Sequence, residues 1–538
     1  MDFKSQALIL DDFTQEDIRS QLNRIILSSF FRESPQASCF LSFIVEAVLS
    51  GQANQIKQYT IAVNAFGYPH DFDPQVNPVM RVLAGRVRMM LERYYLYEGN
   101  RDPIRIDIPK HTYIPMFRHN SMLQTDMHLH PSITPLSASG ADYGFSITVI
   151  PFNSQGIKDG NGYADSITES IVTGFAQFRE LHIVGPLEEY KNCSVKMDDI
   201  ANRYRTRFVL QGRVQIYDET MRVNTGLTDI RTGFKIWSQN YEYSQAVMNL
   251  LEIEDDLTKR VVGALADYDG VIPCLIGQES MRKPHDKMEI HEAICSQMLY
   301  LRIYTKQAYN AALDALEYAV KNDPDNPVVL AMLCIAYCNN HAFHFTPETI
   351  ALERVEQMVR RAIGLDPECQ MAHLSEAVLR YFQGQTDQCR NKLRLARSLN
   401  PFNAYAIYAS TLLLCMLGHW KEGMQLWDQG KRLAPHHPSI YFLAPFMDQY
   451  RQGNYAEAWN YAVCFNTPIS LDPLIRAATS GQMGRHAEAK EALQKLLEMQ
   501  PDFPARARDL MRPVFALEEH IDMLLEGLFK AGLKLSPA

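Results

Sequence analysis

Four arginines, Arg81, Arg86, Arg88 and Arg93, fall in one stretch, VMRVLAGRVRMMLERYY, whose apolar residues recur at helical spacing. On a wheel of about 100° per residue, Leu83, Val87, Met90, Leu91 and Tyr94 gather on one side. Arg81 and Arg88 lie opposite them, and Arg86 and Arg93 form a flanking stripe. Residues 75–120 carry eight basic against four acidic side chains, a net of +4, whereas residues 1–74 carry five against nine, a net of -4. Guanidinium groups on a long helix, followed by Arg105, Lys110 and His111, make a pattern suited to the phosphates and base edges of duplex DNA. A long exposed helix also carries arginines simply for solvation, so charge alone does not decide the matter.

Cys334, Cys338, His341 and His344 have the spacing of zinc ligands, because residues four apart share a helix face. The two cysteines sit in the apolar run VLAMLCIAYC, where small core residues are expected, so a packing role is the better reading. GIKDGNG at 156–162 precedes a helical pattern but lacks the GK[ST] ending of a phosphate-binding loop. His436 and His437 fall in a loop between helical segments and read as solvated polar residues. No GxSxG elbow, HExxH pair or kinase motif set occurs. The expectation is a non-enzyme with no catalytic residue, cofactor or metal site.

The elements that would position these groups divide into three regions. A chain of 538 residues with 46% hydrophobic and 21% charged content is long enough for several globular cores. Its net charge of -9 gives no chain-wide attraction to nucleic acid or anionic membrane, so any basic site is local. No run reaches the about 18 apolar residues a membrane span needs. The opening MDFKSQALILDDF does not read as a signal peptide, and the ten cysteines show no paired spacing. These features predict a cytoplasmic location without membrane contact.

In the first region, Thr14 with Asp17 resembles a capping box ahead of the stripe Ile18, Leu22, Ile25 and Ile26. Ser34 and Pro35 open a second helix, Ile56 to Phe66 forms a third, and Asn77 and Pro78 open the arginine-bearing fourth. Two alternating runs, Ile104 to Ile108 and Tyr113 to Phe117, then predict a hairpin. Residues 119–144 read as a polar linker.

In the middle region, FSITVIPF at 145–152 predicts a buried strand, followed by a helix over Ala164 to Phe178, a strand at Leu181 to Val184 and a helix at Met197 to Tyr204. Arg207 to Tyr217, Met221 to Asp229 and Phe234 to Tyr241 predict an antiparallel meander, closed by a helix from Met248 to Ala266.

The C-terminal region repeats. Pro367, Pro401, Pro435, Pro468 and Pro501 are 34, 34, 33 and 33 residues apart, and Gly384, Gly418, Gly453 and Gly484 keep nearly the same beat. Such a period predicts helical hairpins in which the glycine turns between helices and the proline stops the second one. The 43 residues from Pro324 to Pro367 hold an insertion, placed at NNHAFHFTP. Apolar periodicity through Leu510, Val514, Leu517, Ile521, Leu524 and Leu528 predicts capping helices over 505–538.

GNYAEA at Gly453 to Ala458 and GRHAEA at Gly484 to Ala489 closely resemble the tetratricopeptide consensus over about 286–504. VIPF, YADSITESI, FVLQGRV and WSQNY in 145–272 resemble the TolB amino-terminal-like domain. IKQYTIAVNAFG, DFDPQVNPVMRVLAGRVR and IDIPKHTYIP in 1–118 resemble the winged helix-turn-helix domain of bacterial regulators carrying those same units. The resemblance implies a multidomain α+β protein: winged helix-turn-helix, mixed α/β domain, then an all-α tetratricopeptide solenoid. It implies a cytoplasmic transcriptional regulator that binds double-stranded DNA and takes a protein or peptide partner in the repeat groove. Arg81, Arg86, Arg88 and Arg93 would then contact bases or phosphates, and Arg105, Lys110 and His111 backbone or minor groove. The alternative is a scaffold or adaptor that does not bind DNA and acts through the array alone. Oligomeric state is left open.

Overall fold

A computed structural model describes residues 13–28, 31, 34–66, 79–97, 99, 102–109, 112–119, 144–155, 161–191, 197–217, 220–244, 248–434 and 437–535. They form two compact units, 1–137 and 138–538.

The first unit holds α1 (Gln15–Leu27), α2 (Pro35–Leu49), α3 (Gln58–Phe66), α4 (Val79–Tyr97), β1 (Ile104–Asp107) and β2 (Met116–His119). Thr14 starts α1 through a reciprocal cap: Asp17 N donates to Thr14 Oγ1 at 3.1 Å, and Thr14 N to Asp17 Oδ2 at 3.0 Å. The strands pair antiparallel, with Ile104 opposite His119 and Ile106 opposite Phe117. The apolar side of α4 is buried at Leu83, Val87, Met90, Leu91 and Tyr94, against Ile18, Leu22, Phe40, Ile44 and the inward strand residues Ile106 and Phe117. A helix of period 3.6 and strands of period 2 thus meet in one core. Pro78, Lys110 and His111 lie outside the described residues.

The second unit begins with a sheet in the order β5-β3-β6-β7-β8, with β4 also paired to β6. Its strands are β3 (Ser146–Val149), β4 (Asn153–Gln155), β5 (His182–Val184), β6 (Phe208–Tyr217), β7 (Thr220–Asp229) and β8 (Phe234–Ser244). β3 lies parallel to β5 and β6, and the last three strands form the expected meander. The apolar run at 145–152 is not one strand, because pairing stops after Val149 and resumes at Asn153. α5 (Asn161–Phe175), α6 (Met197–Tyr204) and α7 (Leu250–Leu265) complete this part. α8 (Val271–Ser280) bridges the interval between the α/β part and the array. Pro273 falls in its first turn, where the missing N–H costs nothing.

The array pairs α9 (Ile290–Ile303) with α10 (Lys306–Asn322), α11 (Pro327–Phe343) with α12 (Leu352–Leu365), and α13 (Gln370–Phe382) with α14 (Thr386–Leu399). α15 (Ala404–Met416) pairs with α16 (Trp420–Leu433), α17 (Leu443–Arg451) with α18 (Tyr455–Phe465), and α19 (Leu471–Gln482) with α20 (His486–Met499). α21 (Phe503–Met511) and α22 (Glu518–Lys530) follow. Gly384, Gly418, Gly453 and Gly484 turn four of the hairpins at φ of +70°, +86°, +77° and +69°, a region costly for any side chain. The insertion is shared: α11 runs on to Phe343, and only then does a loop begin. Asn340 holds that loop, its Nδ2 donating to Thr346 Oγ1 and to Glu348 O, both at 2.8 Å.

Candidate nucleic-acid interface and interaction surface

Arg88 does not face outward as the wheel places it. Its Nε donates to Ile108 O at 2.8 Å, and its Nη2 to Pro109 O at 3.1 Å and Thr112 O at 2.8 Å. Burial holds the guanidinium below its ordinary pKa. The wheel fails because it treats the far side of α4 as solvent, whereas the chain following β1 folds over it. Arg105 is also engaged, with Nε 3.2 Å from Asp107 Oδ1 and the guanidinium 5.0 Å over the Tyr95 ring. Arg118 pairs with the same Asp107 across the hairpin. Arg81 is exposed in the first turn of α4, and Arg86 is half-buried. Nothing is described for the side chain of Arg93, nor for Lys110 or His111.

Arg88→Ala is expected to cost about 3 kcal/mol in the first unit, since three carbonyls lose a charged donor at once. Amide exchange in 104–117 should rise with it. Equal exchange in variant and parent would show that the hairpin does not depend on Arg88.

The first helices of the hairpins, where stacked repeats generally offer a groove, are covered here by the chain itself. Residues 328–338 of α11 and 370–377 of α13 are buried without a break. At the amino-terminal ends of these helices sits the α/β part. Tyr405 N donates to Asp267 Oδ1 at 3.4 Å, Asn400 Nδ2 to Gln177 O at 3.1 Å, and Arg179 pairs with Asp366 and Glu368. At their carboxyl-terminal ends runs the C-terminal segment. Tyr381 Oη donates to Val514 O at 2.6 Å, Tyr450 Oη to Met523 O at 3.2 Å, and the Trp420 and His520 rings lie 5.2 Å apart. On this face the ends of the first helices are thus lined by the chain's own segments.

The zinc spacing does not become a ligand set. Cys334 Sγ donates to Val355 O at 3.8 Å, and burial pushes the Cys338 thiol up to about 12. His341 Nε2 lies 2.7 Å from Ile350 O. Among the described residues no three metal-ligating side chains converge.

Asp267 and Asp269, which sequence reasoning missed, carry two carboxyls into an aromatic cluster with Tyr268, Tyr405 and Tyr441. Burial pushes Asp267 well above the usual carboxylate range and Asp269 up to about 6, the nearby Arg302 opposing the rise at Asp269. The signal was thin: DYDG reads as a turn, and only its place between two apolar helices hints at burial. Folded Asp269 holds its proton more tightly than the unfolded chain does. The stability it contributes is therefore complete below about pH 4 and lost as pH rises through about 6. Asp269→Asn is expected to stabilise the protein by on the order of 1–3 kcal/mol at pH 7 and by nothing at pH 4. Urea unfolding across that range tests it, and a gain that does not change with pH would refute the assignment.

No family model matches the chain. A putative adenylate cyclase 3 of Rhizobium meliloti (strain 1021) is 26% identical over 147 residues, 27% of this chain and 24% of that protein. The chain thus spans about a quarter of the length of the curated relative it matches. Among solved structures, pilF of Pseudomonas aeruginosa shares 15% identity at a TM-score of 0.28, covering 39% of this chain and 92% of its own. A PelC dodecamer from Paraburkholderia phytofirmans shares 16% identity at a TM-score of 0.18, covering 23% of this chain and 88% of its own.

Proposed function

We propose that this chain is a protein-interaction scaffold whose helical array and α/β part act as one body. The observation that carries this reading is the run of paired helices from α9 to α20, four of the hairpins turned by glycine, a stacked architecture whose common use is to present an extended surface to other proteins. The second helices of the hairpins remain largely exposed: α14 buries only Cys389, Leu393 and Ala396, and α20 only Ala489, Leu493 and Leu496. Partners on this reading meet the polar outer face.

A DNA-binding regulator is the second reading, favoured by the exposed Arg81 on a helix followed by a hairpin. Fluorescence anisotropy of the full chain on pooled genomic duplexes, with crosslinking mass spectrometry of the tagged protein in its host, separates the two. The scaffold reading expects reproducible protein crosslinks on α12, α14, α16, α18 or α20 and no duplex binding at low salt. The DNA reading expects salt-dependent binding whose log–log slope falls by about 1 in Arg81→Ala. Arg88 is unsuitable for that test, since its loss unseats the hairpin.

A further inference from the structure

Where the α/β part meets the array there is a cavity of about 390 Å³, with Phe178, Glu180 and Tyr268 on one side and Gln370, Ser398 and Asn400 on the other. That volume is in the range of small-molecule sites. The amides of its wall are already bonded. Gln370 Nε2 donates to Ala396 O at 2.7 Å and its Oε1 accepts from Asn403 Nδ2 at 2.6 Å, while Asn400 Nδ2 donates to Gln177 O at 3.1 Å. Ser398 Oγ donates to Leu395 O at 2.8 Å. Glu180 differs: its Oε1 is shut off from bulk solvent and makes no hydrogen bond, the Tyr268 hydroxyl is the side-chain donor beside its carboxyl, and burial raises its pKa, which an ammonium alongside would oppose. A buried acceptor left so is destabilising, and a ligand donor would relieve that penalty.

Two further features narrow the ligand. Charge around the cavity is in acidic excess: Glu180, Glu368 and the neighbouring Asp366 stand against Arg179, which pairs with Asp366 and Glu368. The Phe178 and Tyr268 rings stand edge to face with centroids 6.3 Å apart, and aromatic walls favour a cation. We propose that this cavity binds a small organic ion with a protonated primary amine, its N–H donating to Glu180 Oε1 and its charge lying against the Phe178 and Tyr268 rings. A quaternary ammonium could satisfy the rings but not the carboxylate. Because the walls come from both the α/β part and the array, such a ligand fastens the two together and stabilises the folded chain by mass action.

The test uses the full chain at pH 7, with thermal unfolding and isothermal titration calorimetry against butylamine, phenethylamine and tryptamine, and with tryptophol as the neutral counterpart of tryptamine. At least one amine is expected to bind with 1:1 stoichiometry and to raise the melting temperature, and tryptophol to bind at least tenfold more weakly than tryptamine. Glu180→Gln should weaken amine binding at least tenfold. Ser398→Trp, which fills the cavity from the array side and leaves the carboxyl in place, should abolish binding while melting near the parent, and so covers the case in which Glu180→Gln folds poorly. Failure of all three amines to bind would mean that water alone satisfies Glu180 and would overturn the proposal. So would equal binding by tryptophol, or by both variants and the parent.

Discussion

A chain ending at Pro504 is expected to lose cooperative unfolding of its second unit and to aggregate at concentrations where the full chain stays clear. The missing segment buries Phe515, Ile521, Leu524, Leu525 and Leu528. At about 1.5–3 kcal/mol for each large apolar side chain, their loss is on the order of 10 kcal/mol, comparable with the whole net stability of a typical domain. The damage would not stop at the last hairpin, because Tyr381 on α13 and Tyr450 on α17 donate to Val514 O and Met523 O. A single side chain should reproduce part of it. A Cβ on Gly527 would sit 2.3 Å from Tyr450 Oη and 2.4 Å from Ala478 O, and the second of these is backbone that cannot step aside. Gly527→Val should therefore push α22 off α19 at a cost of about 3–5 kcal/mol. Light scattering and thermal circular dichroism read both variants. Melting and solubility equal to the parent's in both would sink the idea that this segment holds the array closed.

The hairpins were legible because each uses local chemistry twice over: a glycine that can take positive φ, and a proline that cannot continue a helix. The meander was legible because strand alternation and turns such as RTG at 231–233 are local as well. Tertiary burial of polar groups was not. Arg88 looks like an outward cation on any wheel, and only the path of residues 108–112 turns it into a clamp. The groove of the array looked open because periodicity describes each helix against its hairpin partner. It cannot announce that Asp267 will reach Tyr405, 138 residues away, or that Tyr381 will bond Val514, 133 residues away. Glu180 in RELHIV reads as a surface residue for the same reason.

Asp229→Ala is expected to destabilise the second unit by about 3–5 kcal/mol, through a charge left behind rather than a contact removed. Arg207 and Asp229 have side chains only 8% and 2% exposed, with Nη2 to Oδ2 at 3.0 Å. The same Nη2 lies 2.8 Å from Glu279 Oε1 on α8, and Arg231 pairs with Glu279 as well. The cluster therefore joins β6 and the turn after β7 to the helix that leads into the array. With Asp229 gone, Arg207 keeps Glu279 but loses its more buried partner, so the cost should fall toward the lower end of that range. Replacing both members with apolar residues of similar size, Arg207→Met with Asp229→Leu, should recover much of the loss, because the desolvation penalty disappears along with the attraction. Urea unfolding of Arg207→Met, Asp229→Leu and the double variant, alongside Asp229→Ala, closes the cycle, and amide exchange in 271–280 shows whether α8 loosens. If Asp229→Ala unfolds like the parent, the pair is not what binds the sheet to α8. If the double variant is no better than Asp229→Ala, the loss lies in specific hydrogen bonds rather than in an unpaired buried charge.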